Sequence, residues 1–163
     1  MDIDNKIIQA QENLKRKLDW IGRHDSRVSF AAGIFIAMTG VLANAAASIK
    51  LWNYWVYAIF GFVASMLITG LILIYFSQYP RTKSLNTSLI FFGTISVLKC
   101  DEFKKKFKEM SKEEYLDDLL SQIHINSEIL TKKFNYLKCA LRLLGVVIVP
   151  WVIFIYISQD YFK

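Results

Sequence analysis

Two stretches of this chain run without a charge for longer than a soluble domain needs. From Val28 to Ile49, and again from Leu51 to Pro80, there is no Asp, Glu, Lys or Arg, and a third uncharged run extends from Leu143 to Gln159. Roughly 18 consecutive apolar residues mark a helix able to cross the hydrocarbon of a bilayer; the first two runs exceed that length and the third falls just short. With 163 residues, 54% of them hydrophobic, and a mean hydropathy of +0.31, the chain has room for three spans and one small polar unit. It has no room for two independent catalytic domains. The expected fold class is an all-α membrane protein: three transmembrane helices with a small, mainly helical cytoplasmic domain.

The distribution of charge sets an expected orientation. Of twenty Lys and Arg residues, six precede Val28, Lys50 lies between the first two spans, twelve lie from Arg81 to Arg142, and Lys163 follows the third span. Cationic residues are retained on the cytoplasmic face, so the N-terminus and the long middle segment are expected inside and the C-terminus outside. The net charge of +6 is then a topological signature and not a nucleic-acid footprint. Cys100 and Cys139 fall on the side where thiols stay reduced, and no CxxC or Cys/His cluster suggests a metal. The first apolar run follows an acid-containing amphipathic stretch and is too long for the core of a cleaved signal peptide.

Four segments follow. Residues 1–27 place Ile3, Ile7, Leu14, Leu18 and Ile21 on one helical face, an amphipathic cytoplasmic helix. Residues 28–79 form a two-helix transmembrane hairpin. Its first span is rich in small residues four apart (Gly33/Ala37, Thr39/Ala43/Ala47), which allow close helix packing in lipid, either within the chain or between copies. Trp52, Tyr54, Trp55 and Tyr57 mark one interface, and Tyr75, Phe76 and Tyr79 the other. Residues 80–140 form the cytoplasmic domain: Ser88 to Val97 reads as a buried strand or compact loop, and Lys99 to Met110 as a charged helix. Ser111 and Glu114 make a capping box that starts a longer helix running into span three. Residues 141–163 form the third span and a short external tail, with Pro150 expected to kink the helix or offset its register.

Little in the chain points to catalysis. There is no P-loop, GxSxG or HExxH motif, and the adjacent pair Asp117 and Asp118 point to different sides of a helix. One cluster is chemically apt for a phosphate ligand: Arg23 and Arg27 sit one turn apart around His24 and Asp25, where the first helix meets the membrane. Two guanidiniums on one face suit bidentate phosphate contact, and Asp25 suits pairing with one of them or accepting from a base or ribose. A plain membrane anchor with a structural ion pair is the competing reading. Arg81 and Lys83 would join them at the inner end of span two.

The pattern W-I-x-x-x-D-x-R/K, here Trp20, Ile21, Asp25 and Arg27, leads into the small-residue span at Ala31-Ala32-Gly33. With Pro80-Arg81, Phe91-Phe92-Gly93-Thr94-Ile95, Phe103, Gln122-Ile123 and Asn126, it resembles the transmembrane effector family of Pycsar, the pyrimidine cyclase antiphage systems. The resemblance extends over nearly the whole chain. It implies an effector, not an enzyme, that senses cyclic CMP or cyclic UMP, impairs the bacterial inner membrane and arrests or kills the infected cell. It further implies binding residues among Asp25, Arg27, Arg81, Phe92, Gln122 and Asn126, with Arg23 and Lys83 alongside. Arginine would meet phosphate, the amides a base edge, and Phe92 the ring. No cofactor, metal or nucleic-acid polymer is expected, and the expected partners are the lipid bilayer, the cyclic nucleotide and further copies of the chain. The competing readings are a scaffold or channel without a nucleotide ligand, and an effector responding to a cyclic oligonucleotide.

Overall fold

The computed structural model describes residues 2–80 and 87–160. Among them are five helices and no strand: α1 (Ile3–Ser48), α2 (Tyr54–Gln78), α3 (Phe92–Ile95), α4 (Cys100–Glu109) and α5 (Lys112–Asp160). By length and composition α1, α2 and α5 can each cross a membrane. At 1.5 Å per residue, the 46 residues of α1 and the 49 of α5 extend about 69 and about 74 Å, more than twice the ~30 Å of hydrocarbon. The chain divides into two compact units, one of Met1–Arg23 and Pro80–Lys132, the other of His24–Tyr79 and Lys133–Lys163.

The second unit is a three-helix bundle whose packing is legible as a period. On α1 the buried residues of this unit are His24, Val28, Ala31, Phe35, Met38, Leu42 and Ala45, with Ile49 just past the helix end continuing the series. These are alternating steps of three and four, a repeat of 3.5 residues. On α2 the buried set is Val56, Val63, Leu67, Gly70, Ile74 and Ser77, and on α5 it is Lys133, Leu137, Ala140, Leu144, Val147, Phe154 and Ser158. A sustained 3.5 repeat keeps one seam facing the neighbours and winds helices left-handedly. The step from Val147 to Phe154 is a full heptad, so Pro150 leaves the seam in phase, and α5 continues through it. The outward faces carry Phe30, Ile36, Phe62, Val146, Val149 and Tyr156, an apolar surface suited to lipid.

Directions follow from the contacts. Asp25 meets Lys133, and the indole N–H of Trp151 donates to the carbonyl of Met38 (3.1 Å), so α1 and α5 run parallel in this unit. Phe35 of α1 packs on Gly70 of α2, and His24 on Ser77, so α2 runs against them. Phe35 is wholly buried because Gly70 has no side chain: a Cβ there would lie 2.1 Å from the phenyl ring. Asn53 starts α2 by accepting from the Val56 N–H at 2.9 Å.

In the first unit the leading part of α1 lies along the start of α5. Asp4 pairs with Lys112 at 2.7 Å, Gln11 Nε2 donates to the Tyr115 hydroxyl at 3.0 Å, and Ala10, Leu119 and Ile129 are buried. The capping box forms reciprocally: the Ser111 N–H donates to Glu114 at 2.7 Å, and the Glu114 N–H donates to the Ser111 hydroxyl at 3.2 Å. These hydrogen bonds, backbone first, hold the Glu114 carboxyl below its ordinary range. The segment from Ser88 to Val97 is a turn followed by the one-turn helix α3, and not a strand. The N–H of Leu89 goes to Asp118 Oδ2 (2.9 Å), and those of Ile90 and Phe91 go to Ser88 Oγ (3.3 and 3.2 Å). With its donors drawn inward to side chains, this backbone has no edge for a ladder.

Candidate functional site

The second unit carries a buried polar layer where three helices present His24, Ser77 and Lys133 at seam positions. Lys133 Nζ lies 3.0 Å from Asp25 Oδ1, and His24 Nδ1 lies 3.2 Å from the same oxygen. His24 Nε2 is 3.1 Å from Ser77 Oγ, which is also 3.0 Å from the main-chain carbonyl of Lys133. The ring of Phe134 closes one side at 4.9 Å, edge to face. Ser77 has one proton and donates it to the Lys133 carbonyl, so towards His24 Nε2 its oxygen can only accept, as the Asp25 carboxylate can only accept from Nδ1; both ring nitrogens face acceptors. Burial pushes the Asp25 carboxyl up, but hydrogen bonds and charge from Lys133 and His24 outweigh it, and the carboxyl titrates below its ordinary value. The connectivity is that of a Ser-His-Asp triad. His24 and Ser77 are nevertheless fully buried, so the arrangement ties helices together and offers no nucleophile to a substrate.

The first unit carries a cavity of about 550 Å³ between the 87–98 segment, α4 and the opening turns of α5. This volume is ordinary for a small-molecule site. Hydroxyls of Thr87, Ser88, Thr94 and Ser121 and carboxylates of Glu109, Glu114, Asp117 and Asp118 line it, with Lys106 the cation on its wall. Lys106 also reaches Glu102 at 2.8 Å along α4. Asp118 spends one oxygen on Leu89; its other oxygen, Oδ1, is buried and has no hydrogen-bond partner. Among the described residues no three His, Cys, Asp or Glu side chains converge on a metal position.

The residues singled out from the sequence and described by the structure are divided between the two units. Arg23 belongs to the first unit, exposed, its guanidinium 5.9 Å from the centroid of the Trp20 ring. Asp25 and Arg27 belong to the second. Asp25 pairs with Lys133, 108 positions away, and not with a neighbouring arginine. Phe92 is 68% exposed with its ring 4.6 Å from that of Phe91. Gln122 is buried and donates to Ser88 Oγ at 3.1 Å; Asn126 donates to the Gln122 carbonyl at 2.8 Å. Both amides therefore support the first unit from within. Arg81 and Lys83 lie outside the described residues.

Two features escaped sequence reasoning. Asp117 and Asp118, set aside because successive helical residues diverge, border the same cavity, which is wide enough to receive both. Lys133 and Ser77 complete the polar layer; the available signal was a lysine four residues from each of the apolar seam positions Ile129 and Leu137.

Comparison with known proteins covers both units. The model of the Pycsar effector protein domain matches residues 9–158. The Pycsar effector protein GmPycTM of Gulbenkiania mobilis is 42% identical over 48 residues, 29% of this chain and 24% of that protein. The alignable part is thus about a quarter of that relative's length. No solved structure matches the chain. With the family match running unbroken from the first amphipathic helix through the third span, the chain belongs to the Pycsar effector protein domain family.

Proposed function

We propose that this chain is an antiphage defence effector that binds a cyclic pyrimidine mononucleotide, cyclic CMP or cyclic UMP, in its first unit and then impairs the bacterial inner membrane. The observation that carries the reading is continuity. α1 and α5 are each one unbroken helix that begins among residues of the cavity-bearing unit and ends as a membrane span. A ligand shifts a conformational equilibrium only if it prefers one state, and a ligand held beside these helices is placed to bias their packing. The N-terminus and the first unit face the cytoplasm, by the excess of Lys and Arg in those segments, and the C-terminus lies on the periplasmic side.

Within this reading Arg23 and Phe92, both exposed, meet phosphate and base, with Arg81 and Lys83 following Pro80 in the chain as further cations. Gln122 and Asn126 brace the cavity wall through Ser88. Asp25 and Arg27 act at the inner end of span one, Asp25 through Lys133. Three spans enclose no pore, so several copies assemble. Gly33, Ala37, Gly40, Asn44 and Ala47 form an exposed stripe on α1, and nothing lies within 4 Å of a Cβ built at Gly33 or Gly40. Small residues of this kind let helices approach closely in lipid.

The test is direct. The full chain is reconstituted in phosphatidylethanolamine–phosphatidylglycerol vesicles loaded with a self-quenched dye, and cyclic CMP or cyclic UMP is added on the side of the first unit. Dye release that saturates with nucleotide supports the proposal; full retention with both nucleotides defeats it.

A further inference from the structure

The two parallel helices of the second unit lose their charges at different depths. Asp25 of α1 is joined to Lys133 of α5, and Met38, thirteen residues on, is joined to Trp151, eighteen residues on. Arg142 stands midway along that stretch of α5, which sets it level with Ala31 and Ala32, inside the uncharged run that α1 begins at Val28. Lys138, one turn before Arg142, shares its face, and both are exposed. The face continues beyond them as exposed Val146 and Val149, so it is turned to lipid. A cation at this depth is costly unless an anion meets it. The bundle supplies none. The second unit holds two side-chain carboxylates: Asp25, which Lys133 engages, and Asp160, eighteen residues beyond Arg142 at the far end of α5. Among the described residues neither Lys138 nor Arg142 makes an ion pair.

We propose that Lys138 and Arg142 hold the phosphate of an anionic phospholipid, of the phosphatidylglycerol type, in the leaflet at that end of the bundle. Residues four apart on a helix stand about 5–6 Å from each other at Cβ, and both side chains are long enough to turn back towards the headgroup layer. The planar fork of a guanidinium takes two oxygens of a phosphodiester, while an ammonium beside it acts as a point charge. A zwitterionic headgroup brings its own ammonium to the phosphate and competes with Lys138, so a lipid of net negative charge is preferred. α5 runs unbroken from the first unit into this span, so a lipid held here resists vertical displacement of the helix in the bilayer. The inference does not depend on the nucleotide.

In the experiment the full chain, in a neutral maltoside detergent, receives equal amounts of phosphatidylglycerol and phosphatidylethanolamine, and bound lipid is read by native mass spectrometry. Phosphatidylglycerol should be retained in preference. One cation near a membrane surface strengthens binding to anionic lipid about fivefold, so Lys138→Gln and Arg142→Gln should each weaken phosphatidylglycerol binding by about that factor, and the double variant by about thirtyfold. Lys104→Gln together with Lys105→Gln, two exposed lysines of α4, removes the same charge elsewhere and should leave lipid retention unchanged. Equal retention of the two lipids by the unchanged chain, or an equal loss in the α4 pair, overturns the proposal. Glycerol 3-phosphate at the concentration of the lipid should not displace it; displacement would reveal a site for soluble phosphate and overturn the lipid assignment. If the double variant fails to insert, the comparison of the two lipids on the unchanged chain decides alone.

Discussion

Lys133 of α5 reaches across to Asp25 of α1 at 3.0 Å, and the two ends of this pair are unequally buried: the lysine side chain is 8% exposed and the carboxylate 36%. Losing one partner therefore has different consequences. Asp25→Ala leaves an ammonium stranded in the bundle, which in a fully buried pair costs about 3–5 kcal/mol; partial hydration at Asp25 reduces this to about 2 kcal/mol. Lys133→Met leaves a carboxylate that water still reaches and fills the vacated space with an apolar chain. The expected result is a clear fall in melting midpoint in detergent for Asp25→Ala and a small change for Lys133→Met. Equal losses would show that the pair's burial does not govern its energetics.

The same carboxylate sets a pH dependence. Asp25 titrates below its ordinary value of 3.8 in the folded chain, so its contribution is present above that value and disappears as pH falls through the lower, folded one. The difference in melting midpoint between the unchanged protein and Asp25→Asn should stay level from neutral pH to about pH 5 and shrink below about pH 4. A difference that grew on acidification would reverse the sign of the linkage.

Gly70 is a packing requirement. A Cβ at this position meets the ring of Phe35 at 2.1 Å, so Gly70→Ala should destabilise the bundle by about 1–3 kcal/mol, the usual cost of overpacking. Phe35→Leu in the same chain should recover part of the loss. The pair of melting curves is the measurement, and an additive double variant would deny the contact.

The outward stripe on α1 predicts the opposite behaviour. A Cβ added at Gly33 or Gly40 meets open space in the single chain, and both positions are exposed, so in Gly33→Leu and Gly40→Leu the protomer should melt unchanged. If copies assemble through this stripe, cross-linking in membranes should lose its higher bands and nucleotide-dependent dye release should stop.

Orientation is open to chemical labelling. Cys100 lies in the first unit and is free and exposed. In cells carrying Cys139→Ser, a membrane-impermeant maleimide should leave Cys100 unmodified until the inner membrane is permeabilised.

Local signals in the sequence translate well into structure. The uncharged runs become spans, and Ser111 with Glu114 forms its box at the predicted residues. The long helix that begins there runs on without a break. Each of these is decided by neighbours within a turn or by the solvent the segment must meet. What stayed hidden depends on residues far apart in the chain. Asp25 had arginines on either side, yet tertiary packing brought Lys133 to it. The apolar run from Ser88 has strand-like composition, but Asp118, about thirty positions on, takes its first N–H. That Gln122 donates to Ser88, 34 positions earlier, was hidden for the same reason.

A seam that repeats every seven residues with similar apolar side chains can in principle be read at more than one offset. Here the layer of His24, Ser77 and Lys133 makes the alternatives unequal. Sliding α2 by one heptad would take its hydroxyl away from the imidazole and set Gly70, which has no side chain, in its place. Sliding α5 would strand the ammonium among hydrocarbons. One polar stratum thus acts as an alignment mark for three greasy rods, a small sacrifice of cohesion that leaves the bundle a single way to zip together.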